Sequence, residues 1–420
     1  MWEKFKLILK DPDLKKKLFF LFVFFAAFRL LASIPVPGID ALRLREFFEA
    51  NQFFGLLNVF SGGALDNLSI VMLGVGPYIT ASIIMQLLTM IFPALKEIYQ
   101  EEGEAGRQKF NQYSRLLTLP LALVQGFGLL TILERQGIIQ FTATTKIADL
   151  IIVAAGSILL MWIGELISEY SFGNGVSLLI FAGIVSSFPS DLRQTLATFD
   201  YSQFPTYIAF VAIALITVAA VVIISEGQRP ISVYYAKRIR GMKMYGGTNT
   251  YLPLKVNQAG VIPIIFALSI LLLPQMVANF FASSANAVLR AAASFVINFL
   301  SSSWPYAAAY FILVFLFTYF YTAVTFDPQA ISKNLQQSGA FVPGIRPGPS
   351  TAEYLNKIVS RITFVGALFL GAVAVLPLVL QALTGITTLT IGGTSLLIVV
   401  SVVLETAKLV QAQLSLREYE

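Results

Sequence analysis

An all-α, polytopic membrane fold is what this sequence predicts: ten transmembrane helices in two inverted five-helix halves around a central pore, with a re-entrant helix ahead of the second span. Three observations lead there. Hydrophobic residues make up 56% of the 420 and charged residues only 12%, where soluble domains carry about 25% charge. Apolar stretches suited to a bilayer, which takes about 20 residues per crossing, recur ten times along the chain. Two pairs of motifs also repeat at corresponding places in the two halves.

Taken in order, the spans are expected at roughly 18–34, 68–92, 116–133, 147–167, 176–188, 206–225, 258–281, 305–326, 362–383 and 389–405. The first follows Lys4, Lys6, Lys10, Lys15, Lys16 and Lys17 and ends in IPVPGID, a turn rather than a small-residue cleavage site, so it is expected to stay in place. Ten is even, which puts both termini on one side. Of the 29 Lys and Arg residues, 22 fall on the amino-terminal side and 6 in the opposite loops, with Arg29 inside the first span. Positive charge collects on the cytoplasmic side. Both termini are therefore expected in the cytoplasm and the chain in the inner membrane. The external segment 283–303 aligns Leu289, Phe295, Val296, Phe299 and Leu300 on one face, as a helix lying at the outer surface would.

The second span is interrupted near its start: FSGGALDNLSIVMLGVGPYI has paired glycines, an Asp-Asn pair and Gly-Val-Gly-Pro. Irregular backbone at membrane depth is tolerated only where protein surrounds it or it lines a cavity. Residues 60–74 are therefore read as a re-entrant half-helix folded into the outer mouth of a pore. The repeat supports a pore. Gly74-Val75-Gly76-Pro77-Tyr78-Ile79 matches Gly260-Val261-Ile262-Pro263-Ile264-Ile265 in the seventh span. The short fifth span begins Gly173-Asn174-Gly175 and continues SLLIFAGIV, and the tenth begins Gly392-Gly393-Thr394 and continues SLLIVVSVV. With five spans per half, the matched spans run in opposite directions, an inverted repeat whose broken members mark the transport path. The halves are expected at 1–200 and 201–420. The residues flanking the breaks are aliphatic: Val75, Ile79, Val176, Ile180, Ile265 and Ile398. Such a constriction binds no ion but excludes water by dewetting.

Cysteine and histidine are absent, which removes disulfides, thiolate chemistry, Cys/His metal sites and histidine acid–base catalysis. The eight aspartates fall in loops or at span edges, and no glycine-rich phosphate cradle is present. No enzyme activity, cofactor or metal is expected. A small-solute secondary transporter with inverted repeats is the alternative. It requires polar groups converging at mid-membrane, for which Gln86, Gln125, Glu165 and Glu405 are the candidates.

At these motifs the chain resembles the SecY family of protein-translocation channels. The resemblance covers nearly the whole chain, through IPVPGID (34–40), FSGGAL (60–65), GPYITASIIMQLL (76–88), EGEAGRQKFNQYSR (102–115), GNGVSLLIFAGIV (173–185), YAKRIRG (235–241), LPLKVNQAGVIPIIFA (252–267), SGAFVPGIRPG (338–348) and GGTSLLIVV (392–400). It implies a channel for unfolded secretory proteins, with a pore ring at Val75, Ile79, Val176, Ile180, Ile265 and Ile398. It implies a plug on about 60–70, namely Phe60, Ser61, Gly62, Gly63, Ala64, Leu65, Asp66, Asn67 and Leu68. A lateral gate between the second and third spans and the seventh and eighth would include Thr80, Gln86 and Leu273 and release signal sequences into membrane lipid. The long basic loops 226–257 and 327–361 would receive the SecA motor ATPase and the ribosome through Arg229, Lys237, Arg238, Arg240, Lys243, Lys333 and Arg346, and SecE and SecG would be the small partner subunits. Preproteins are the implied passengers. After Gln228-Arg229 the family usually continues with Arg or Lys, whereas this chain has Pro230, so one basic contact is missing there.

Overall fold

The computed structural model describes residues 11–37, 61–65, 67–100, 102–135, 137, 142–171, 173–197, 201, 204–235, 238–240, 243–245, 249–282, 286–384 and 392–417. Phe60, Asp66 and Lys237 lie outside them. The first part of the chain forms helices α1 (Pro12–Ser33), α2 (Gly76–Ile91), α3 (Pro93–Gln100), α4 (Gly103–Arg135), α5 (Ala143–Tyr170), α6 (Gly175–Ala197) and α7 (Phe204–Glu226). Strands β1 (Gln228–Tyr235), β2 (Arg238–Arg240), β3 (Lys243–Tyr245) and β4 (Asn249–Lys255) follow. The rest comprises α8 (Ile262–Phe281), α9 (Ala287–Ser301), α10 (Ser303–Thr325), α11 (Pro328–Gln337), β5 (Ala340–Phe341), α12 (Pro349–Thr384) and α13 (Gly392–Arg417).

Among the described residues, α4, α5, α7, α10, α12 and α13 are long and apolar enough to cross a membrane, and α2 with α3 makes a seventh if that bent pair is one span. α2 and α3 meet at 116°. Pro93 causes the break at Phe92, because a proline disfavours helical backbone in the residue before it. α6 and α8 carry shorter apolar stretches, Gly175–Pro189 and Ile262–Gln275.

Several helices run past the expected spans. α4 begins at Gly103 and α12 at Pro349, where 116 and 362 were expected. The added turns, such as GEAGRQKFNQYSR, are polar residues of good helix propensity. Hydropathy detects only the part of a helix that suits hydrocarbon, so these turns carry no such signal. The re-entrant helix also needs correction. The described residues from Gly62 to Val75 form linked turns, closed by bonds such as Leu68 N–H to the Leu65 carbonyl (2.9 Å) and Gly74 N–H to the Val71 carbonyl (2.8 Å). Gly62 and Gly63 have φ of +66° and +79°, which helical backbone forbids.

The strongest helix contacts join α1, α2, α4, α5 and α6 to one another, and α7, α8, α10, α12 and α13 to one another. Between the two groups, α8 packs on α2 and α4, and α13 packs on α6. Lipid supplies no hydrophobic force to hold helices together, so close approach at small residues must do so. At the α5–α6 contact, a Cβ on Gly175 would lie 1.9 Å from the Gly164 carbonyl oxygen. Ser168 Oγ accepts from Gly175 N–H at 2.8 Å and donates to the Gly164 carbonyl at 3.0 Å. Gly175→Val should cost about 1–3 kcal/mol or more through overpacking, read as a lowered unfolding midpoint of the detergent-solubilised protein. Ion pairs Arg115–Glu165 (2.5 Å) and Lys146–Glu134 (2.5 Å) clasp α4 and α5 at opposite ends. Hydroxyls inside the apolar helices bond back one turn, as Thr318 and Thr322 do to the Val314 and Thr318 carbonyls.

The two long polar loops form one structure, which the sequence did not reveal. β1 pairs antiparallel with β4, and its far end pairs with β5, through Tyr234 opposite Phe341 and Tyr235 opposite Ala340. Beneath this sheet, Ile231, Leu254, Val342, Leu355, Ile358 and Val359 make a small core with the first turns of α12.

Candidate functional site

The matched motifs adopt one backbone conformation. Gly74 and Gly260 have φ of +58° and +62°, a region open to glycine at little cost. Val75 and Val261 then cap their helices at φ −89°, ψ 5° and φ −94°, ψ −7°, with no side-chain bond. A proline follows in the first turn of each helix, where its missing N–H has no helical partner to lose. The sequence G-V-x-P therefore encodes the same break twice, at the starts of α2 and α8. At the start of α6, Asn174 Oδ1 accepts from the Val176 and Ser177 N–H groups (3.0 and 3.2 Å), an N-cap that suits the short span.

These helix starts converge. Val75 and Ile79 of α2, Ile180 of α6, Ile265 of α8 and Ile398 of α13 are buried in one hydrophobic cluster, with Val176 packed against it. The cluster also holds Ile83, Val261, Leu268 and Val402. They lie three or four residues from an expected ring position, on the same helix face, and that spacing is the signal that could have found them.

Ser61, Gly62, Ala64, Leu65 and Leu68 are buried, Gly63 is partly buried and Asn67 is exposed. Ala64 belongs to the cluster just described, whereas Leu65 and Leu68 sit in a second one with Leu129, Leu130 and Leu133 of α4 and Val153 of α5. Ser61 Oγ accepts from Leu65 N–H at 3.1 Å.

Of the expected gate residues, Thr80 is buried, while Gln86 and Leu273 are partly so. The Thr80 hydroxyl donates to the Gly76 carbonyl (3.0 Å) and accepts from Gln125 Nε2 of α4 (3.3 Å). Gln86 Nε2 donates to Ser82 Oγ at 3.3 Å, and its buried Oε1 meets no donor among the described residues. The polar groups a solute site would need do not gather. Glu165 is paired with Arg115 at the ends of α4 and α5, Gln125 is bonded to Thr80, and Glu405 is exposed.

On the polar loops, Arg229, Lys333 and Arg346 are exposed. Arg238, Arg240 and Lys243 lie on the β2–β3 hairpin, where Arg240 is opposite Lys243. Pro230 faces Pro253 across the β1–β4 ladder. Neither has an N–H, so the pair fits the register only as a non-hydrogen-bonded one. Pro230 is thus accommodated by the sheet, at the position where a basic side chain was expected.

Comparison with known proteins bears on this arrangement. The SecY family profile matches residues 69–407. A protein translocase subunit SecY from Corynebacterium glutamicum is 43% identical over 98% of this chain and 97% of its own. One from Thermotoga maritima is 40% identical over 100% and 97%. Among solved structures, "The structure of a protein conducting channel" is similar at a TM-score of 0.66 and 19% identity, covering 95% of this chain and 92% of that one. A canine Sec61 in a ribosome-channel complex reaches 0.61 at 18% identity, with the same coverage. The last two matches bear on the fold alone. With two broken helices entering one aliphatic cluster, a profile match over most of its length and relatives above 40% identity end to end, the chain belongs to the SecY family.

Proposed function

We propose that this chain is the channel-forming subunit of a protein translocase, conducting unfolded secretory proteins across the cytoplasmic membrane and releasing hydrophobic segments sideways into lipid. The observation that carries this reading is the meeting of aliphatic side chains from α2, α6, α8 and α13 in one buried cluster. A passenger of any sequence requires walls that bind none strongly, and a ring of Val and Ile supplies that while dewetting the closed pore. The ring consists of Val75, Ile79, Val176, Ile180, Ile265 and Ile398, and the segment around 60–68 is the plug beside it. A solved SecY structure at 20% identity carries a description in which the plug domain stabilises the closed channel and maintains a membrane seal.

In this reading ten spans (α1, α2, α4, α5, α6, α7, α8, α10, α12 and α13) form halves at 1–200 and 201–420, with both termini cytoplasmic. The gate lies where α8 meets α2 and α4 and includes Thr80, Gln86 and Leu273. The sheet-bearing loops face the cytoplasm and receive the SecA motor and the ribosome through Arg229, Lys237, Arg238, Arg240, Lys243, Lys333 and Arg346. SecE and SecG complete the channel. No nucleotide site is apparent in the sequence, so the driving force comes from a partner.

The test is the seal. Replacing Ile79, Ile180, Ile265 and Ile398 together by Ser widens and wets the constriction. Vesicles containing the assembled variant should leak small ions at rest while the complex stays intact. An ion permeability equal to that of the parent, in a variant that assembles normally, would remove the ring from this account.

A further inference from the structure

Arg29 is a cation within an otherwise apolar helix, about one turn from the end of α1. A long side chain so placed ordinarily extends to the headgroups. Here its Nη1 donates instead to the carbonyl oxygen of Gly62, at a long 3.4 Å. Among the described residues the guanidinium meets no carboxylate. Gly62 is held from the other side as well. A Cβ on Gly183 of α6 would lie 2.1 Å from Gly62 Cα, and one on Gly62 would lie 2.6 Å from Phe28 Cζ and 2.9 Å from Gly183 Cα. The Gly62 backbone therefore sits in a slot between α1 and α6 that any side chain on either glycine would close.

The chain just beyond is fixed differently. Val36 N–H donates to the Leu68 carbonyl (2.9 Å) and Ile70 N–H to the Ile34 carbonyl (3.0 Å), around the bridge from Pro35 to Ser69. A Cβ on Gly156 of α5 would come within 2.0 Å of the Ile70 carbonyl oxygen. Leu68, between the two parts, has φ of +39°, unusual for a residue with a side chain. Residues 69–75 are thus tied by backbone to α1 and α5. Residues 61–65 are held at Gly62, by one charged hydrogen bond and one glycine contact, and by the packing of their side chains.

We propose that Arg29 and Gly183 are the positioning residues of the plug: they hold Gly62 in its slot, and the plug leaves the pore by releasing that contact and turning about Leu68. This rests on the reading of 60–68 as a plug. A hydrogen bond from a charged donor shifts a two-state population by about tenfold or more, enough to bias the closed state while a passenger can still displace it.

The chain has no cysteine, so a single Ala64→Cys, buried in the closed channel, reports on the plug alone. The assembled translocase in proteoliposomes is treated with a membrane-impermeant maleimide, and its resting ion conductance is measured. Arg29→Leu and Gly183→Ala should each raise labelling about tenfold and raise the conductance, while Arg29→Lys, which keeps a donor, should stay nearer the parent. Arg29→Leu leaves the α1–α6 packing alone and carries the test if Gly183→Ala fails to assemble. A channel lacking residues 61–68 separates the two ideas. If it leaks while the substituted channels label and conduct like the parent, the positioning role is wrong and the plug stands. If it does not leak, the plug reading fails and takes this inference with it.

Discussion

Oxidation of a Thr80→Cys, Leu273→Cys double variant is expected to stop protein export outright, and reduction to restore it. A hydrophobic signal sequence must leave the pore sideways, so two helices have to part, and α8 packs on α2 and α4 across the only strong helix contacts between the two groups besides α13 on α6. A disulfide needs Cα atoms within about 7 Å, so the bond forms only where α2 and α8 abut. Each single variant should export almost normally. Thr80→Cys gives up the Gln125 contact of 3.3 Å, worth about 1 kcal/mol, and Leu273→Cys alters one partly buried side chain. Export is measured as protection of a preprotein from protease in vesicles. Full crosslinking with undiminished transport would mean that the gate lies elsewhere, and failure of the thiols to crosslink would mean that these two positions do not meet.

Arg346→Glu should reduce SecA-driven export to background while assembly is retained. The loop that bears Arg346 is shaped by its own bonds: Thr351 Oγ1 donates to the Arg346 carbonyl (2.9 Å), Ser332 Oγ donates to the Gly348 carbonyl (2.6 Å), and Gly344 and Gly348 adopt φ of +79° and +100°. None of this uses the guanidinium, which is exposed. Reversing its charge therefore leaves the fold alone and acts on whatever partner docks there. Arg346→Lys separates two kinds of contact. A generic positive surface tolerates it, whereas a planar, two-pronged contact does not. Near-normal export by Arg346→Glu would reduce this residue to its part in membrane orientation.

Much of this molecule is legible in its sequence. Composition and apolar run length identify a membrane protein because both are sums over local residues, and a helix in hydrocarbon satisfies its backbone without distant partners. The repeat was legible for the same reason. G-V-x-P sets a left-handed glycine and a proline-started helix wherever it occurs, and the structure shows the same break at Val75 and Val261.

What only the tertiary structure decided are the meetings of segments far apart in the chain. β1 finds β5 across four helices, so the two basic loops become one surface. Neither strand announces its partner, because strand pairing is chosen by the backbone brought alongside. Gly62 and Gly183 read as ordinary flexible residues until their backbones are seen pressed together. Arg29 read as a stray charge in an apolar helix until its hydrogen bond to the Gly62 carbonyl was in view. Hydropathy and periodicity describe what one element prefers for itself. Which element it touches depends on contacts of a few ångströms that the fold creates.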